Sequence, residues 1–414
     1  MKRVRIVGGG LSGTLAAFQA HRMGARNIEI FERLDQLGGI ALPALKDGIE
    51  LREGCVYFGP KGDPIRTLLE DHNARFEDFD NSFGSVSPGT DGPIYLEDFG
   101  GPQMPATSLD LQPQSGESLS DRLSCYQDEL AFPLARYVRW HVGCNPSQLH
   151  ASAAEPLAIN RVYPSGPSLD ALAQAKKTDN LSNELFGIPR SLWGYSANSQ
   201  ASLPVGGLSA LFERCRTALY AIGVRIHDRA FARPKAMLEE HCEDDVLVWA
   251  ASPMPLFKTV DLEPPKAPAK KFATYIFKAD WDGALPFYVQ NFTARGSCFR
   301  VYIYQSQGQT LLTAECVSEA SNADLAEDIQ DMLDGFKGNL TLGELLFHTV
   351  KPRWLYHSVD TIARLGTLRS TLADRMGNGF VASGWEAYSK GEKFAEVERN
   401  LQLALGANRV AQAS

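Results

Sequence analysis

The feature that most constrains this chain is the glycine cluster that follows its first apolar run. Val4, Ile6 and Val7 are apolar, and Gly8-Gly9-Gly10-Leu11-Ser12-Gly13 comes directly after them. In the pattern G-x-G-x-x-G, Gly8 allows a tight turn out of a strand, Gly10 allows close approach to a pyrophosphate, and Gly13 lets the next helix pack closely on the sheet. Apolar residues recur at helical spacing from Leu11 onward, and Ile28, Ile30 and Phe31 then mark a second strand. Together they predict a dinucleotide-binding βαβ unit.

Residues on both sides of the second predicted strand extend this pattern. Glu32 ends the strand 24 residues after Gly8, the place where an acid binds the hydroxyls of a ribose. The amides at Leu11 and Ser12 would face the phosphates from the start of a helix. A lone G-x-G-x-x-G is a weak signal, so an NAD site and a purely structural glycine turn remain alternatives at this point.

Composition and charge exclude several classes of partner. The chain has 414 residues, 44% of them hydrophobic, and a net charge of −8. This predicts a soluble protein that binds a small molecule and neither nucleic acid nor membrane. No signal peptide and no apolar run of membrane-spanning length are evident, so we expect a cytoplasmic location. The seven cysteines are scattered without a C-x-x-C pair, which favours reduced thiols and no metal site.

The pattern of elements predicts a domain built from separated segments. Residues 1–80, 201–255 and 371–414 have αβ patterns and are assigned to the nucleotide-binding domain. Residues 81–200 form a substrate and helical excursion, in which 85–120 is predicted to be a loop and 119–140 a helix. Residues 256–370 are predicted to form the β-sheet of a substrate domain.

Five segments resemble one flavoprotein superfamily. The extension Glu32-Arg33 followed by Gly38-Gly39 resembles its FAD-binding branch. Further similarity to the UDP-galactopyranose mutases, amine oxidases and protoporphyrinogen oxidase-like proteins lies at 47–58, 139–149, 203–207 and 380–386. The resemblance implies an α/β fold with a glutathione-reductase-like, Rossmann-type FAD domain, a mixed β-sheet substrate domain and helical excursions. It implies FAD as cofactor, bound by Gly8, Gly10, Leu11, Ser12, Gly13, Glu32, Arg33, Gly38, Gly39, Gly54, Phe231, Gly384, Trp385 and Glu386.

The same resemblance suggests residues for the substrate. Arg300 occupies a position comparable to an arginine of the mutases and would face an anionic group, and Arg161 or Arg190 could supply a second arginine. Trp140 and Tyr356 are further candidates for binding the substrate. Catalytic candidates are Cys55, Arg300 and Tyr356. Each has a structural alternative, because buried cysteines are usually inert and tryptophans usually belong to the core.

Departures from the mutase pattern leave three functions open. Gly54-Cys55-Val56 replaces a Gly-x-His motif, and Ser383-Gly384-Trp385 replaces Gly-Gly-Arg. The first hypothesis is an FAD-dependent oxidoreductase that transfers a hydride from a small polar, anionic substrate to flavin N5. The second is a mutase-like isomerase, and the third is a non-catalytic flavin-binding subunit. The sequence allows a homodimer and does not identify the substrate.

Overall fold

The computed structural model describes most of residues 2–406. It does not describe Cys55, Asn81, Thr90, Asp98, 101–113, 163–168, Thr178, 190–199, Glu243, Ala267, Ala269, 353–355 or 407–414. The strands are β1 (Arg3–Val7), β2 (Asn27–Phe31), β3 (Ala44–Lys46), β4 (Ile49–Leu51), β5 (Phe76–Asp80), β6 (Ser82–Pro88), β7 (Pro93–Glu97), β8 (Phe99–Gly100), β9 (Ile188–Pro189), β10 (Gln200–Pro204), β11 (Arg225–His227), β12 (Asp245–Trp249), β13 (Lys271–Trp281), β14 (Phe287–Asn291), β15 (Cys298–Ser306), β16 (Gln309–Cys316), β17 (Leu340–Pro352) and β18 (Phe380–Ala382).

The α-helices alternate with these strands along much of the chain. They are α1 (Leu11–Arg22), α2 (Pro64–Glu70), α3 (Leu119–Leu123), α4 (Asp128–Val142), α5 (Leu169–Lys176), α6 (Asn180–Leu185), α7 (Gly207–Ala221), α8 (Pro234–Glu239), α9 (Met254–Thr259), α10 (Asn322–Leu333), α11 (Val359–Met376) and α12 (Lys390–Leu405). No helix in the described part of the chain is long and apolar enough to cross a membrane.

One sheet is parallel and is buried on both faces. Its five strands have the order β11-β2-β1-β12-β18. Helices α1, α7 and α12 contribute to the core on one face, while α8, α9 and α11 contribute to the core on the other. Every residue of β12 is buried, as a central parallel strand between two helical layers requires.

The second sheet is mixed and has the strand order β17-β13-β16-β15-β14-β6-β7. Its only parallel pair in the described chain is β6 with β14. Helix α10 packs on one face, and a layer containing α3, α4 and the 3-10 turns after them packs on the other. The predicted fold class, a parallel nucleotide-binding sheet with a separate mixed sheet, is therefore confirmed.

Two secondary-structure predictions were wrong. The predicted loop at 85–120 contains β6 and β7. Its polar composition misled the prediction because Ser85 and Ser87 lie on a sheet face that is buried yet polar, while Gly84 leaves room for the ring of Phe336 on the other face. Helix α11 was not predicted; Leu365, Leu368 and Leu372 pack it on the parallel sheet.

Two further boundaries differ from prediction. The helix expected at 119–140 is two helices, because Ser118 caps α3 and a new helix begins after Gln127. In the αβ segment 371–414 the helix begins only at Lys390, after the predicted cofactor residue Glu386, and Ser389 accepts a hydrogen bond from the Glu392 amide. Glu386 lies in the connection before it and forms an ion pair with Arg369.

Candidate functional site

The glycine loop lies at the carboxyl end of β1, where parallel sheets of this type bind ligands. Gly8 has a φ of +98°, a conformation that favours glycine. A Cβ on Gly13 would lie 1.9 Å from the Gly8 carbonyl oxygen, so helix and strand pack too closely for any side chain there. A Cβ on Gly10 would meet only the Gly38 carbonyl oxygen, at 3.9 Å. Gly10 therefore borders open space, as a residue beside a bound pyrophosphate would.

The start of α1 can accept an anion. Gly10 caps the helix without a side-chain hydrogen bond, and the first turn contains no acidic residue. Leu11 and Ser12 are both partly exposed at this end. The first amides of a helix have no partner within the helix and carry a partial positive charge, so they can bind phosphate oxygens.

Glu32 is held rigidly beside this loop. Its side chain is buried at the end of β2, with 5% of the residue exposed. The carboxylate accepts the Gly9 amide at 2.6 Å and the Leu34 amide at 2.8 Å. An ionised carboxylate has about four acceptor positions, so two remain for ligand hydroxyls.

The second glycine pair closes on the first. The Gly38 amide donates to the Gly9 carbonyl at 2.9 Å, and Gly10 and Gly38 form a parallel bridge. Both Gly38 and Gly39 have positive φ, +115° and +55°. A Cβ on Gly39 would lie 3.3 Å from Gly10 Cα. The two glycine segments thus form one backbone surface.

Glu50 is a residue that the sequence did not single out. Its buried carboxylate accepts the amides of Leu208 at 3.1 Å and Ser209 at 2.8 Å, at the start of α7. It therefore ties the hairpin of β3 and β4 to the helix after the segment 203–207. No local motif could have revealed it, since its partners lie 158 and 159 residues away.

The remaining cofactor candidates lie in varied surroundings. Arg33 is exposed, Gly54 is partly buried, and Phe231 is 72% exposed. Gly384 is buried with a φ of +66°. The Trp385 indole N–H donates to the Trp249 carbonyl at 3.2 Å within the core of the parallel sheet. Contacts of these residues with a cofactor remain predictions.

A dinucleotide fits the residues that are present. The loop at Gly8–Gly13 leaves open space at Gly10, an uncapped helix faces it, and a buried carboxylate is fixed at its side. These features match the pyrophosphate and ribose of a dinucleotide, including FAD.

Arg300 lies on the mixed sheet and already has an acidic partner. It forms an ion pair with Glu315 on the neighbouring strand, and their side chains are 11% and 3% exposed. The two residues are directly opposite each other in the β15–β16 register. Arg300 is therefore a buried guanidinium on the face that meets α4, and its role toward a substrate stays a prediction.

Two arginines lie close to the ring of Tyr288. The guanidinium carbon of Arg300 is 5.7 Å from the centre of its ring, and that of Arg161 is 5.1 Å away. The Arg161 Nη1 atom is buried and has no hydrogen-bond partner among the residues described. Such distances permit a cation–π contact of each guanidinium with the ring. Arg190, the other predicted second arginine, lies outside the described residues.

Tyr356 is paired with His141, a residue not identified from the sequence. The Tyr356 hydroxyl and His141 Nε2 are 2.8 Å apart, and both residues are 1% exposed. Burial, reinforced by the charge of Arg300, holds the pKa of His141 well below its usual value. Burial raises the pKa of Tyr356 well above its usual value. The pair is therefore electrically neutral near neutral pH.

Trp140 and Cys55 are the remaining substrate and catalytic candidates. The Trp140 indole N–H donates to the Gly296 carbonyl at 3.1 Å, which joins α4 to the turn before β15. This placement favours a packing role for Trp140. Cys55 lies outside the described residues, so its proposed role stays a prediction.

Comparisons with known proteins agree with this geometry. Residues 6–71 match the family model of an NAD(P)-binding Rossmann-like domain. No curated protein matches the sequence. Among solved structures, a reduced UDP-galactopyranose mutase is similar with a TM-score of 0.65 and 13% identity, over 99% of this chain and 96% of that chain.

Two further structures have the same architecture. A proposed protoporphyrinogen oxidase from Exiguobacterium sp. 255-15 is similar with a TM-score of 0.55 and 14% identity, over 98% of this chain and 99% of that chain. An oxidoreductase from Methanosarcina mazei has a TM-score of 0.53 and 15% identity, over 97% of this chain and 100% of that chain. The chain therefore shares the fold of these three proteins. The predicted resemblance is thereby confirmed at the level of fold, and identities this low do not transfer a reaction.

Proposed function

We propose that the protein is an FAD-dependent oxidoreductase that oxidises a small polar, anionic substrate by hydride transfer to flavin N5. The observation that supports it most strongly is the backbone surface made by Gly8–Gly13 and Gly38–Gly39, with Glu32 fixed beside it. When bound, FAD would supply the hydride-accepting chemistry. The protein's own residues would bind, orient and shield the reactants.

The cofactor half of the proposal assigns one task to each group. Amides at the start of α1 bind the pyrophosphate, and Glu32 accepts ribose hydroxyls. Glu50 keeps the β3–β4 hairpin against the start of α7, which fixes the chain segment that leads to Gly54. The charge of Glu32 is matched by two amide donors, so the carboxylate is oriented before the ligand arrives.

The substrate half uses the mixed sheet. The guanidiniums of Arg300 and Arg161 both lie near the ring of Tyr288 and would orient an anionic group. His141 holds the Tyr356 hydroxyl, which could donate a hydrogen bond to substrate without carrying charge itself. Holding the reacting carbon in one orientation is a large part of what a protein adds to cofactor chemistry.

The cofactor assignment is tested by a matched pair of variants. Glu32→Gln removes the charged acceptor and should weaken FAD binding about 10- to 100-fold, since hydrogen bonds to charged groups contribute about 1.5–3 kcal/mol. Glu29→Gln makes the same change on the same strand, at a residue that pairs with Arg225, and should leave FAD affinity unchanged. Equal affinities in all three proteins, measured by flavin fluorescence titration, would reject the assignment.

The redox assignment is tested by anaerobic mixing. The FAD-loaded protein is mixed with small organic acids that carry an oxidisable C–H bond, and the visible flavin absorption is followed. Bleaching by a substrate, with recovery when air is admitted, supports an oxidoreductase. Activity that appears only after chemical reduction of the flavin and produces no net oxidation would reject it in favour of the alternative.

That alternative is a mutase-like isomerase. One observation favours it: two guanidiniums lie near the ring of Tyr288, an arrangement that suits a substrate with two phosphate charges. A non-catalytic flavin-binding subunit would instead bind FAD and show neither behaviour.

A further inference from the structure

Two cysteines of the mixed sheet face each other across neighbouring strands. Cys298 begins β15 and Cys316 ends β16, and the antiparallel register places them directly opposite each other. Directly opposed residues project on the same face of a sheet, and both side chains belong to the core that α10 covers. The other cysteines that the structure describes lie outside the strands: Cys125, Cys144, Cys215 and Cys242.

The spacing of opposed strands suits a disulfide at this position. Opposed residues of an antiparallel pair have Cα atoms about 4.5–5.5 Å apart. Disulfides join residues whose Cα atoms are about 4.4–6.8 Å apart. Both cysteines are free thiols in the structure, and the two side chains are close enough to form a hydrogen bond with each other. A bond between their sulfurs would therefore require little movement of the backbone.

The pair lies at the open end of the β15–β16 hairpin. The hairpin turns between Ser306 and Gln309, at the opposite end of both strands. A register shift separates Cys298 from Arg300, whose ion-pair partner Glu315 directly precedes Cys316. Because the hydrogen-bond ladder is interrupted at such a shift, a covalent link beside it would fix the strand segments that carry Arg300 and Glu315.

Both thiols are buried, yet each is close in the chain to an exposed turn. Cys298 is 1% exposed and Cys316 is 0% exposed. Arg295 and Gly296 are exposed just before β15, and Ser318 is exposed just after β16. Strand ends beside exposed turns open locally at a lower free energy than strand centres do. A small uncharged oxidant such as hydrogen peroxide can therefore reach the sulfurs, although burial makes the reaction slow.

We propose that Cys298 and Cys316 are a redox-responsive pair, which hydrogen peroxide converts into a cross-strand disulfide that locks the open end of the β15–β16 hairpin. Burial, reinforced by the neighbouring thiol, raises the pKa of Cys298 well above its usual value. Cys298 therefore keeps its proton, and Cys316 is the sulfur assigned to the first attack. The oxidation requires neither FAD nor a substrate of the proposed reaction.

The reaction has two steps and consumes one peroxide molecule. The Cys316 sulfur attacks one peroxide oxygen, the O–O bond breaks, and the other oxygen leaves as water with the proton of the Cys316 thiol. The Cys298 sulfur then attacks the sulfenic sulfur of Cys316, the S–O bond breaks, and the hydroxyl leaves as water with the proton of Cys298. The two thiols lose two electrons in total, and these reduce the peroxide to two water molecules.

Mass mapping of the full-length protein tests the pair directly. Reduced protein is freed of reductant, treated with hydrogen peroxide, blocked with N-ethylmaleimide in denaturant and digested without reductant. We expect a peptide that links Cys298 to Cys316 and is about 2 Da lighter than the two thiol peptides together. It should be at least about tenfold more abundant than any other cysteine pair, because opposed thiols have a high effective concentration. Dithiothreitol should remove it.

Three results would overturn the proposal. In the first, Cys298 and Cys316 both carry N-ethylmaleimide although peroxide has oxidised the exposed Cys242. In the second, either cysteine carries a sulfinic acid and no linked peptide forms. In the third, the linked peptide forms only when peroxide is added in urea, so that it belongs to the unfolded chain.

Urea unfolding measures the lock. Oxidised wild type should have a higher urea midpoint than reduced wild type, because the link constrains the unfolded chain. Cys316→Ala cannot form the link, so peroxide should not raise its midpoint, whereas Cys215→Ala, at a buried cysteine of α7, should respond as wild type does. An unchanged or lower midpoint in linked wild type would overturn the lock. If Cys316→Ala does not fold, Cys298→Ala replaces it, and the wild-type mapping stands without either variant.

Discussion

The candidate cofactor site and the candidate substrate site differ in whether backbone or side chains form them. The cofactor site consists mainly of backbone, with glycine turns and amides at 8–13 and 38–39 and a single acid, Glu32. The substrate site consists of side chains on distant segments, from Ser85 to Tyr356. Backbone geometry is encoded locally by glycine, whereas a side-chain cluster depends on which strands become neighbours. The first is therefore readable from sequence and the second is not.

The largest expected effect on stability comes from a side chain added to the glycine loop, and a matched glycine-to-alanine change in a helix is its control. Gly13→Ala places a Cβ 1.9 Å from the Gly8 carbonyl, so we expect a loss of at least about 3 kcal/mol of unfolding free energy together with loss of FAD binding. Gly366→Ala makes the same change within α11, where a Cβ would meet nothing within 4 Å. It should stabilise the protein by about 0.5–1 kcal/mol. Urea unfolding measures both, and a mild effect at Gly13 would show that the loop can relax.

Acidification should lower the unfolding free energy through His357, which lies next to Tyr356 in the chain. Burial lowers the pKa of His357 to about 4. The unfolded chain, with a pKa near 6.5, therefore binds a proton first as the pH falls. The contribution of neutral, buried His357 to the unfolding free energy is complete above pH 6.5. Between pH 6.5 and pH 4 it is lost at up to about 1.4 kcal/mol per pH unit.

The His357→Phe variant isolates that contribution. Its unfolding free energy should fall less steeply than that of wild type between pH 6.5 and pH 4, although His141 gives both proteins a dependence of the same sign. Parallel curves for the two proteins in urea titrations at several pH values would contradict the assignment.

A smaller effect is expected where one buried hydrogen bond is removed. Tyr356→Phe deletes the hydroxyl that lies 2.8 Å from His141 Nε2. It should lower the unfolding free energy by about 1–2 kcal/mol, since the imidazole is left buried without this partner. Tyr220→Phe, at a residue that is 49% exposed, is the control and should change it by less than about 0.5 kcal/mol.

The smallest expected effect has the opposite sign. Ser85→Ala removes a buried hydroxyl that has no partner in the described structure, so stability should be unchanged or rise by up to about 1 kcal/mol. A clear loss of stability instead would mean that Ser85 is part of the folded network and does not face a ligand.

The parts of the fold that were predicted correctly from the sequence are those whose signals lie close together in the chain. Gly8–Gly13, Glu32 and Gly38–Gly39 lie within 32 residues, and their pattern was sufficient to predict the nucleotide-binding unit. Helix α11 was missed because it is amphipathic within a region assigned to strands, and β6 was missed because its buried face is polar.

For the substrate site, the sequence predicted individual residues but not the residues that contact them. Arg300 was identified from a resemblance, but its partner Glu315 and its neighbour Arg161 were not connected to it by any spacing in the chain. His141 was also missed, because a single histidine on a helix carries no signal until Tyr356 is placed beside it. Long-range strand pairing determines these contacts, and sequence patterns alone do not specify it.

The central claim is that the glycine surface and Glu32 bind FAD, and the most direct measurement is the visible spectrum of the purified protein with the mass of any cofactor released on denaturation. We predict a yellow protein that releases FAD, and a Glu32→Gln variant that retains less of it. A colourless wild-type protein that takes up no added FAD, or one that releases NAD, would contradict the account.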